Sequence, residues 1–215
     1  MINHDIKVLK NMLLKQHGIY QKINLENIYE IVEKIDILMS TKESISIAID
    51  GHSGAGKTTL SSIFNEIYDC NIFHMDDFFL RPEMKTTKRL KEVGGNVDYV
   101  RFKKEIIDNL YNKNKFNYQI YDCKLGKLTD FVTVYPKKLN IIEGVYSMHP
   151  YLSEIYDLKI FMSINKCEQS KRILKRNGSI LHKRFIEEWI PKEDIYFKEM
   201  NIKEKSHIIL KENES

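Results

Sequence analysis

A glycine-rich segment in the second quarter of the chain carries residues whose types and spacing can bind phosphate. Gly51, Gly56, Lys57 and Thr58 fit the pattern GxxxxGK[ST], which binds nucleotide phosphates when a strand precedes it and a helix follows. Glycines let successive backbone N–H groups turn towards one anion, and the start of the following helix adds unpaired N–H groups. The pattern therefore predicts a nucleotide-binding loop made of Gly51, His52, Ser53, Gly54, Ala55, Gly56, Lys57, Thr58 and Thr59.

Two side chains of this loop are expected to do chemistry as well as binding. Lys57 can reach the outer phosphates of a nucleotide as a point charge, and the Thr58 hydroxyl can hold the Mg²⁺ ion that bridges those phosphates. We therefore predict ATP and Mg²⁺ as cofactors, with Lys57 as a catalytic residue and Thr58 as a metal ligand.

Carboxylates follow two of the predicted strands. Asp76 comes directly after a short predicted strand at residues 71–75, and Glu143 follows a buried strand at residues 139–142. In an open parallel sheet both positions lie at the edge that carries the nucleotide-binding loop. Asp76 is thus the candidate general base, which takes the proton of an attacking hydroxyl, and Glu143 can orient Mg²⁺ together with Thr58 and Asp76. The alternative is that Asp76 and its neighbour Asp77 only cap the turn after the strand.

A pair of arginines is the third chemical feature. Arg172 and Arg176 lie four residues apart in a helical stretch at residues 170–176, so their guanidinium groups face the same way. They can clamp a transferring phosphate from a closing lid, although a solvated helix with four cations is the alternative. Pro191 is expected to end the next helix, which carries Trp189.

The elements that must position these residues alternate along the chain. Apolar runs predict strands at 45–49, 71–75, 139–142, 158–162 and 208–210, with helical spacing between them at 59–68, 99–111 and 170–176. This alternation predicts an α/β, three-layer P-loop NTPase fold with a parallel five-stranded sheet and right-handed crossovers. Alternating residues at 116–121 and 131–135 predict a small β-hairpin over the site, and helical spacing at 6–16 and 24–39, with Asn24 as a cap, predicts N-terminal helices.

Composition excludes several other classes of protein. The 34 lysines and arginines are mixed with 30 aspartates and glutamates, which gives a net charge of +4 and no basic stripe for a nucleic acid. The three cysteines are widely spaced and contain no CxxC pair, so we expect reduced thiols and a cytoplasmic protein. No apolar run reaches the roughly 20 residues of a membrane span, and the N-terminus lacks the order of a signal peptide.

The ordered set of motifs resembles the uridine kinase family of P-loop kinases over residues 45–210. The set comprises the nucleotide-binding loop, the Asp after the second strand, Tyr121-Asp122, Glu143-Gly144 and Arg172-x-x-x-Arg176. The resemblance implies an ATP-dependent kinase that phosphorylates a nucleoside of the uridine or cytidine type to its 5′-monophosphate. Because the N-terminal helices precede the first strand, we expect a helical appendage at 1–43 and a kinase domain at 44–215. The expected partner is a small-molecule acceptor, and a homo-oligomer is left open.

In that family the counterpart of Asp76 activates the sugar hydroxyl. Asp98 matches an aspartate that binds ribose hydroxyls, and Tyr121 matches a tyrosine that lines the nucleoside site. Phe79 and Arg81, which follow Asp76, are expected in the same substrate site.

This chain departs from the family pattern in the acceptor region. Pyrimidine kinases place a histidine and an arginine shortly after Tyr-Asp, where this chain has Cys123, Lys124, Leu125, Gly126 and Lys127. Acceptors such as nicotinamide riboside or a pantothenate-like molecule therefore stay open. Other classes are a nucleotide-binding module without catalysis, and a GTP switch, because residues 165–168 read Asn-Lys-Cys-Glu where a guanine site has NKxD.

Overall fold

A five-stranded parallel sheet forms the centre of the protein. The computed structural model describes residues 25–110, 112 and 114–211. Its strands are β1 (Ile45–Gly51), β2 (Cys70–His74), β3 (Phe116–Asp122), β4 (Lys127–Val134), β5 (Leu139–Glu143), β6 (Leu158–Ser163) and β7 (Ile208–Lys211). The central sheet has the order β2-β5-β1-β6-β7 with every neighbouring pair parallel, and β3 and β4 form a separate antiparallel hairpin. The predicted fold class is confirmed.

Four longer helices connect these strands: α1 (Leu25–Thr41), α2 (Lys57–Ile67), α3 (Lys166–Arg184) and α4 (Ile190–Glu199). Shorter helical segments cover Met75–Phe78, Pro82–Met84, Thr87–Lys91, Tyr99–Phe102, Lys103–Ile107, Asp108–Leu110, Pro150–Ile155 and Phe185–Trp189. The helix predicted at 99–111 thus forms as three consecutive segments as far as Leu110. The helix predicted at 6–16, the cap at Asn24, and Tyr111 lie outside the described residues.

Apolar side chains leave both faces of the sheet and form two cores. Because side chains alternate along a strand, Ile47 and Ile49 of β1 face one core and Ala48 faces the other. The first core is covered by α1 and α2, and the second holds Phe161 and Tyr196. This arrangement makes the three layers. The first core includes Ile28, Ile31 and Ile35 of α1, and the proposed domain boundary at residue 43 stays a prediction.

The helices after β6 differ from the predicted pattern. Helix α3 runs well beyond the predicted 170–176, with a break in its helical backbone at Gly178, where φ is 74°. The prediction that Pro191 ends a helix is wrong, because Pro191 lies in the first turn of α4. A proline is tolerated there since the first N–H groups of a helix need no partner within the helix.

Candidate active site

The phosphate loop, residues 51–58, connects the end of β1 to the start of α2. Its backbone has positive φ at Gly51 (138°), Gly54 (80°) and Gly56 (98°), a conformation that favours glycine. At Gly51 an added Cβ atom would lie 2.1 Å from the backbone oxygen of Met162 on β6, so the close approach of the two strands also requires glycine. The sequence pattern and the local backbone therefore agree.

The Lys57 side chain folds back against the start of this loop. Its Nζ donates hydrogen bonds to the carbonyl oxygens of Gly51 at 2.8 Å and His52 at 3.0 Å, and the residue is only 8% exposed. The ammonium group is thus held beside the loop, where an anion on the backbone N–H groups would meet it.

Three polar side chains meet at the carboxyl ends of β2 and β5. Thr58 Oγ1 donates to Glu143 Oε1 at 3.0 Å, and His74 Nδ1 lies 2.6 Å from the same oxygen. His74 and Glu143 are register partners in the parallel pair of β2 and β5, so the ladder itself places them side by side. The hydrogen bond to Glu143 raises the pKa of His74. Sequence reasoning missed His74, although it ends β2 as Glu143 ends β5.

Asp76 lies in the short helical segment that follows β2, on the same edge. Desolvation by the surrounding protein and repulsion from the Glu143 carboxylate raise its pKa, whereas the Lys57 ammonium acts in the opposite direction. Electrostatic interactions therefore link Asp76 with Glu143 and Lys57 at the carboxyl edge of the sheet. A hydrogen bond adds Thr58 to this cluster.

The next residue, Asp77, has a different environment. Its Oδ2 accepts a hydrogen bond from the Tyr118 hydroxyl of β3 at 3.2 Å, and its carbonyl oxygen accepts one from Arg101. The Arg101 guanidinium also lies over the Phe78 ring, 4.2 Å from the ring centroid. Through its hydrogen bond with Tyr118, Asp77 connects the hairpin of β3 and β4 to the edge of the sheet.

The residues predicted to bind the acceptor are spread around this hairpin. Asp98 is buried and accepts a hydrogen bond from the Arg101 N–H at 3.0 Å as the N-cap of a short helix. Tyr121 is buried with Lys85 Nζ 5.7 Å above its ring. Phe79 pairs with Val97 through the backbone, and Arg81 forms an ion pair with Glu83 at 3.4 Å. Their roles in binding an acceptor stay predictions.

Cys123 follows Tyr121-Asp122 in the turn between β3 and β4. Burial and the Asp76 carboxylate raise the pKa of its thiol, which places this thiol within electrostatic range of the candidate base.

The two lid arginines have different surroundings. Arg172 donates to the Gly54 carbonyl of the phosphate loop at 3.2 Å and to Glu168 at 3.0 Å. Arg176 is exposed, donates to Asn177 at 2.8 Å, and lies 5.9 Å from the centroid of the Phe185 ring. The structure thus brings Arg172 to the loop and leaves Arg176 one helical turn farther along α3.

The sequence analysis also missed the contacts that α4 makes with the loop. Glu193 accepts hydrogen bonds from the Ser53 backbone N–H at 3.0 Å and from the Ser53 hydroxyl. Asp50, fully buried at the end of β1, accepts from the Gly51 N–H at 2.7 Å and from the Tyr196 hydroxyl at 2.7 Å. Burial raises the pKa of Asp50 to about 6. No motif marked these residues.

The segment at 165–168 has a structural function. The Asn165 side chain caps α3 by accepting the Glu168 N–H at 2.9 Å, and Lys166 forms an ion pair with Asp194. Helix capping accounts for the asparagine at this position, so no guanine-binding role is needed to explain it.

Two proteins that are similar in sequence to this chain carry kinase names. The chain is 29% identical to "Uridine kinase" of Chlamydia pneumoniae over 140 residues, which cover 60% of this chain and 61% of that protein. It is 26% identical to "Uridine-cytidine kinase C" of Dictyostelium discoideum over 162 residues, 74% of this chain and 34% of that protein. The chain is thus similar in sequence to members of the uridine kinase family.

A solved structure supports the fold. A possible uridine kinase from Bacillus stearothermophilus superposes with a TM-score of 0.60 at 19% identity, covering 84% of this chain and 98% of that one. No protein-family model matches the chain. The chain spans 61% and 34% of the lengths of the two curated relatives. Within the part that the structure describes, no helix has the length and apolar character of a membrane span.

Proposed function

We propose that this protein is an ATP-dependent kinase that transfers the γ-phosphate of ATP to a hydroxyl group of a small molecule. The observation that carries the proposal is the convergence of the phosphate loop, Thr58, Glu143 and Asp76 at one edge of the sheet. Transfer of a phosphoryl group to a hydroxyl needs a group beside the loop that can take the hydroxyl proton, and Asp76 is a carboxylate at that place. The kinase relatives support the same reading.

Each group has a role that its surroundings favour. The N–H groups of the loop and the Lys57 ammonium would hold the phosphates, and Arg172 would offset charge on the phosphoryl group as it moves. Asp76 would accept the proton of the acceptor hydroxyl while the hydroxyl oxygen forms a bond to the γ-phosphorus. The bond from that phosphorus to the oxygen of the leaving ADP breaks in the same step.

The residues at the edge of the sheet also suit Mg²⁺. The Thr58 hydroxyl and the carboxylates of Glu143 and Asp76 are hard oxygen donors, which are the ligands that this ion prefers. When bound, Mg²⁺ would supply positive charge opposite the transferring phosphoryl group. The pair of Glu143 and His74 would orient the carboxylate towards the ion.

For the acceptor we propose a nucleoside of the uridine or cytidine type, because the curated relatives carry those names. Tyr121, Phe79, Arg81 and Asp98 would line its site. After Tyr121-Asp122 this chain has Cys123 and Lys124 where pyrimidine kinases have a histidine and an arginine. Nicotinamide riboside and pantothenate-like molecules are therefore the alternative acceptors.

The test is ADP formation by the purified full chain with ATP and Mg²⁺ against a panel of acceptors. The panel contains uridine, cytidine, purine nucleosides, nicotinamide riboside and pantothenate. We expect ADP formation that depends on one acceptor and yields its monophosphate by mass spectrometry. Nucleotide binding without acceptor-dependent turnover across a wider set of hydroxyl compounds would contradict the kinase proposal, and turnover with a different acceptor would correct only its substrate.

A further inference from the structure

Ser53 of the phosphate loop is held by side chains from two helices that come much later in the chain. Its N–H donates to Glu193 Oε2 at 3.0 Å, its hydroxyl donates to Glu193 Oε1, and its carbonyl oxygen accepts from Gln169 Nε2 at 3.0 Å. Every polar atom of this residue is therefore used in contacts with α3 or α4.

The carboxylate that makes two of these bonds is deeply buried. Glu193 is 4% exposed, and among the described residues it forms no ion pair with a lysine or arginine. Burying a carboxylate costs free energy unless its oxygens are well hydrogen-bonded. The charge of the nearby Lys57 ammonium and the hydrogen bonds from the Ser53 N–H and hydroxyl favour the carboxylate, but burial still raises the pKa of Glu193.

Helix α4 makes a second contact, with the residue that precedes the phosphate loop. The Tyr196 hydroxyl, one turn after Glu193, donates to Asp50 at 2.7 Å, and the Asp50 carboxylate also accepts the Gly51 N–H. Helix α4 thus contacts the residue that precedes the phosphate loop and the third residue of the loop. These contacts restrain the first half of the loop.

From this geometry we infer that Glu193 is a positioning residue for nucleotide binding, acting through Ser53. Two hydrogen bonds to Ser53 fix the direction in which the following N–H groups, from Gly54 to Thr58, point into the loop. A loop that is already in its binding conformation loses less entropy when the phosphates bind. The inference rests on the proposed nucleotide-binding function and adds a residue to it that no motif of the sequence marks.

The test compares ADP binding with stability in variants of the full chain. Glu193→Gln keeps the size of the side chain and one acceptor oxygen, and Glu193→Ala removes both bonds. Glu199→Gln, an exposed carboxylate on the same helix, is the matched control. Dissociation constants for ADP with Mg²⁺ are measured by isothermal titration calorimetry, which needs no acceptor, and unfolding is measured with urea.

We expect ADP binding to weaken about ten-fold in Glu193→Ala and by a smaller factor in Glu193→Gln, as the loss of charge-assisted hydrogen bonds predicts. Glu199→Gln should bind like the wild type. In a background of Ser53→Ala, which lacks the hydroxyl, the effect of Glu193→Gln should shrink, because the two residues act as a unit.

Two results would overturn the inference while leaving the proposed function intact. One is wild-type affinity for ADP in a folded Glu193→Ala protein. The other is a loss of affinity in Glu193→Gln that is matched by a loss of folded protein and is unchanged by Ser53→Ala, which indicates a purely structural role. If the wild-type chain itself binds no ADP, the proposed function fails, and the inference fails with it.

Discussion

The hydroxyl oxygen of Thr58 lies 3.0 Å from Oε1 of Glu143, although 85 residues separate them in the chain. Thr58 stands in the first turn of α2, and Glu143 ends β5, which is the strand between β1 and β2 in the sheet. The parallel order of strands thus joins the end of the phosphate loop to a carboxylate that the loop motif does not contain.

This contact predicts how Mg²⁺ dependence responds to changes at Thr58. Thr58→Ala removes the hydroxyl from the donor set, so we expect the Mg²⁺ concentration for half-maximal ADP formation to rise about ten-fold. Thr58→Ser keeps the hydroxyl, so its Mg²⁺ concentration for half-maximal ADP formation should stay within about two-fold of the wild-type value. This factor is smaller than the one expected from the loss of a hydrogen bond. A Mg²⁺ titration at saturating ATP measures both. Equal titration curves for all three proteins would remove Thr58 from the metal site.

Asp76 provides the sharpest separation of catalysis from binding. Asp76→Asn keeps the shape of the side chain but cannot accept the hydroxyl proton, so we expect the turnover rate to fall by about 100- to 10,000-fold. ADP affinity, measured by calorimetry without Mg²⁺, should change little. Asp69→Asn, at an exposed aspartate before β2, is the control and should retain full activity. Wild-type turnover in Asp76→Asn would leave Asp76 as a turn-capping residue.

The two lid arginines should respond differently to substitution. Arg172→Ala removes a contact with the Gly54 carbonyl, so we expect weaker ADP binding and a loss of about 100-fold in kcat/KM. Arg176→Ala should lower kcat and leave ADP binding unchanged, because Arg176 contacts Asn177 and Phe185 instead of the loop. Lys175→Ala, exposed on the same helix, is the control. If Arg176→Ala matches Lys175→Ala in every measurement, Arg176 has no part in the reaction.

Asp50 predicts a dependence of stability on pH. Burial raises its pKa from 3.8 to about 6 in the folded state, so between these values the folded protein binds more protons than the unfolded chain. The free energy of unfolding that Asp50 contributes therefore falls as pH rises through this window, and it stays lower above pH 6. Asp50→Asn cannot titrate, so its stability relative to the wild type should improve by about 2 kcal/mol between pH 4 and 7.

Urea unfolding of both proteins at pH 4, 5, 6 and 7 measures this difference. Asp130→Asn, at an exposed aspartate on β4, should show no such trend. Parallel stability curves for the wild type and Asp50→Asn would show that Asp50 titrates alike in the folded and unfolded chains.

Much of the architecture was predictable from local patterns. Apolar runs such as that of β1 mark buried strands, and helical spacing such as that of α2 marks the layers that cover them. Alternation of the two implies a parallel sheet, and a parallel sheet places Asp76 and Glu143 near the phosphate loop. Pro191 was misjudged because its effect depends on whether it enters the interior or the first turn of a helix, which local spacing does not reveal.

The amino-acid sequence by itself determined the phosphate loop, because its glycines, lysine and threonine act through backbone geometry within a few residues. It also determined the edge of the sheet at which Asp76 and Glu143 stand. Only the tertiary structure decided the partners of Ser53 and Asp50, since Glu193 and Tyr196 lie 140 and 146 residues later in the chain. Such contacts depend on how α4 packs against the sheet, and the residue types of a helix do not specify which distant side chain it will meet.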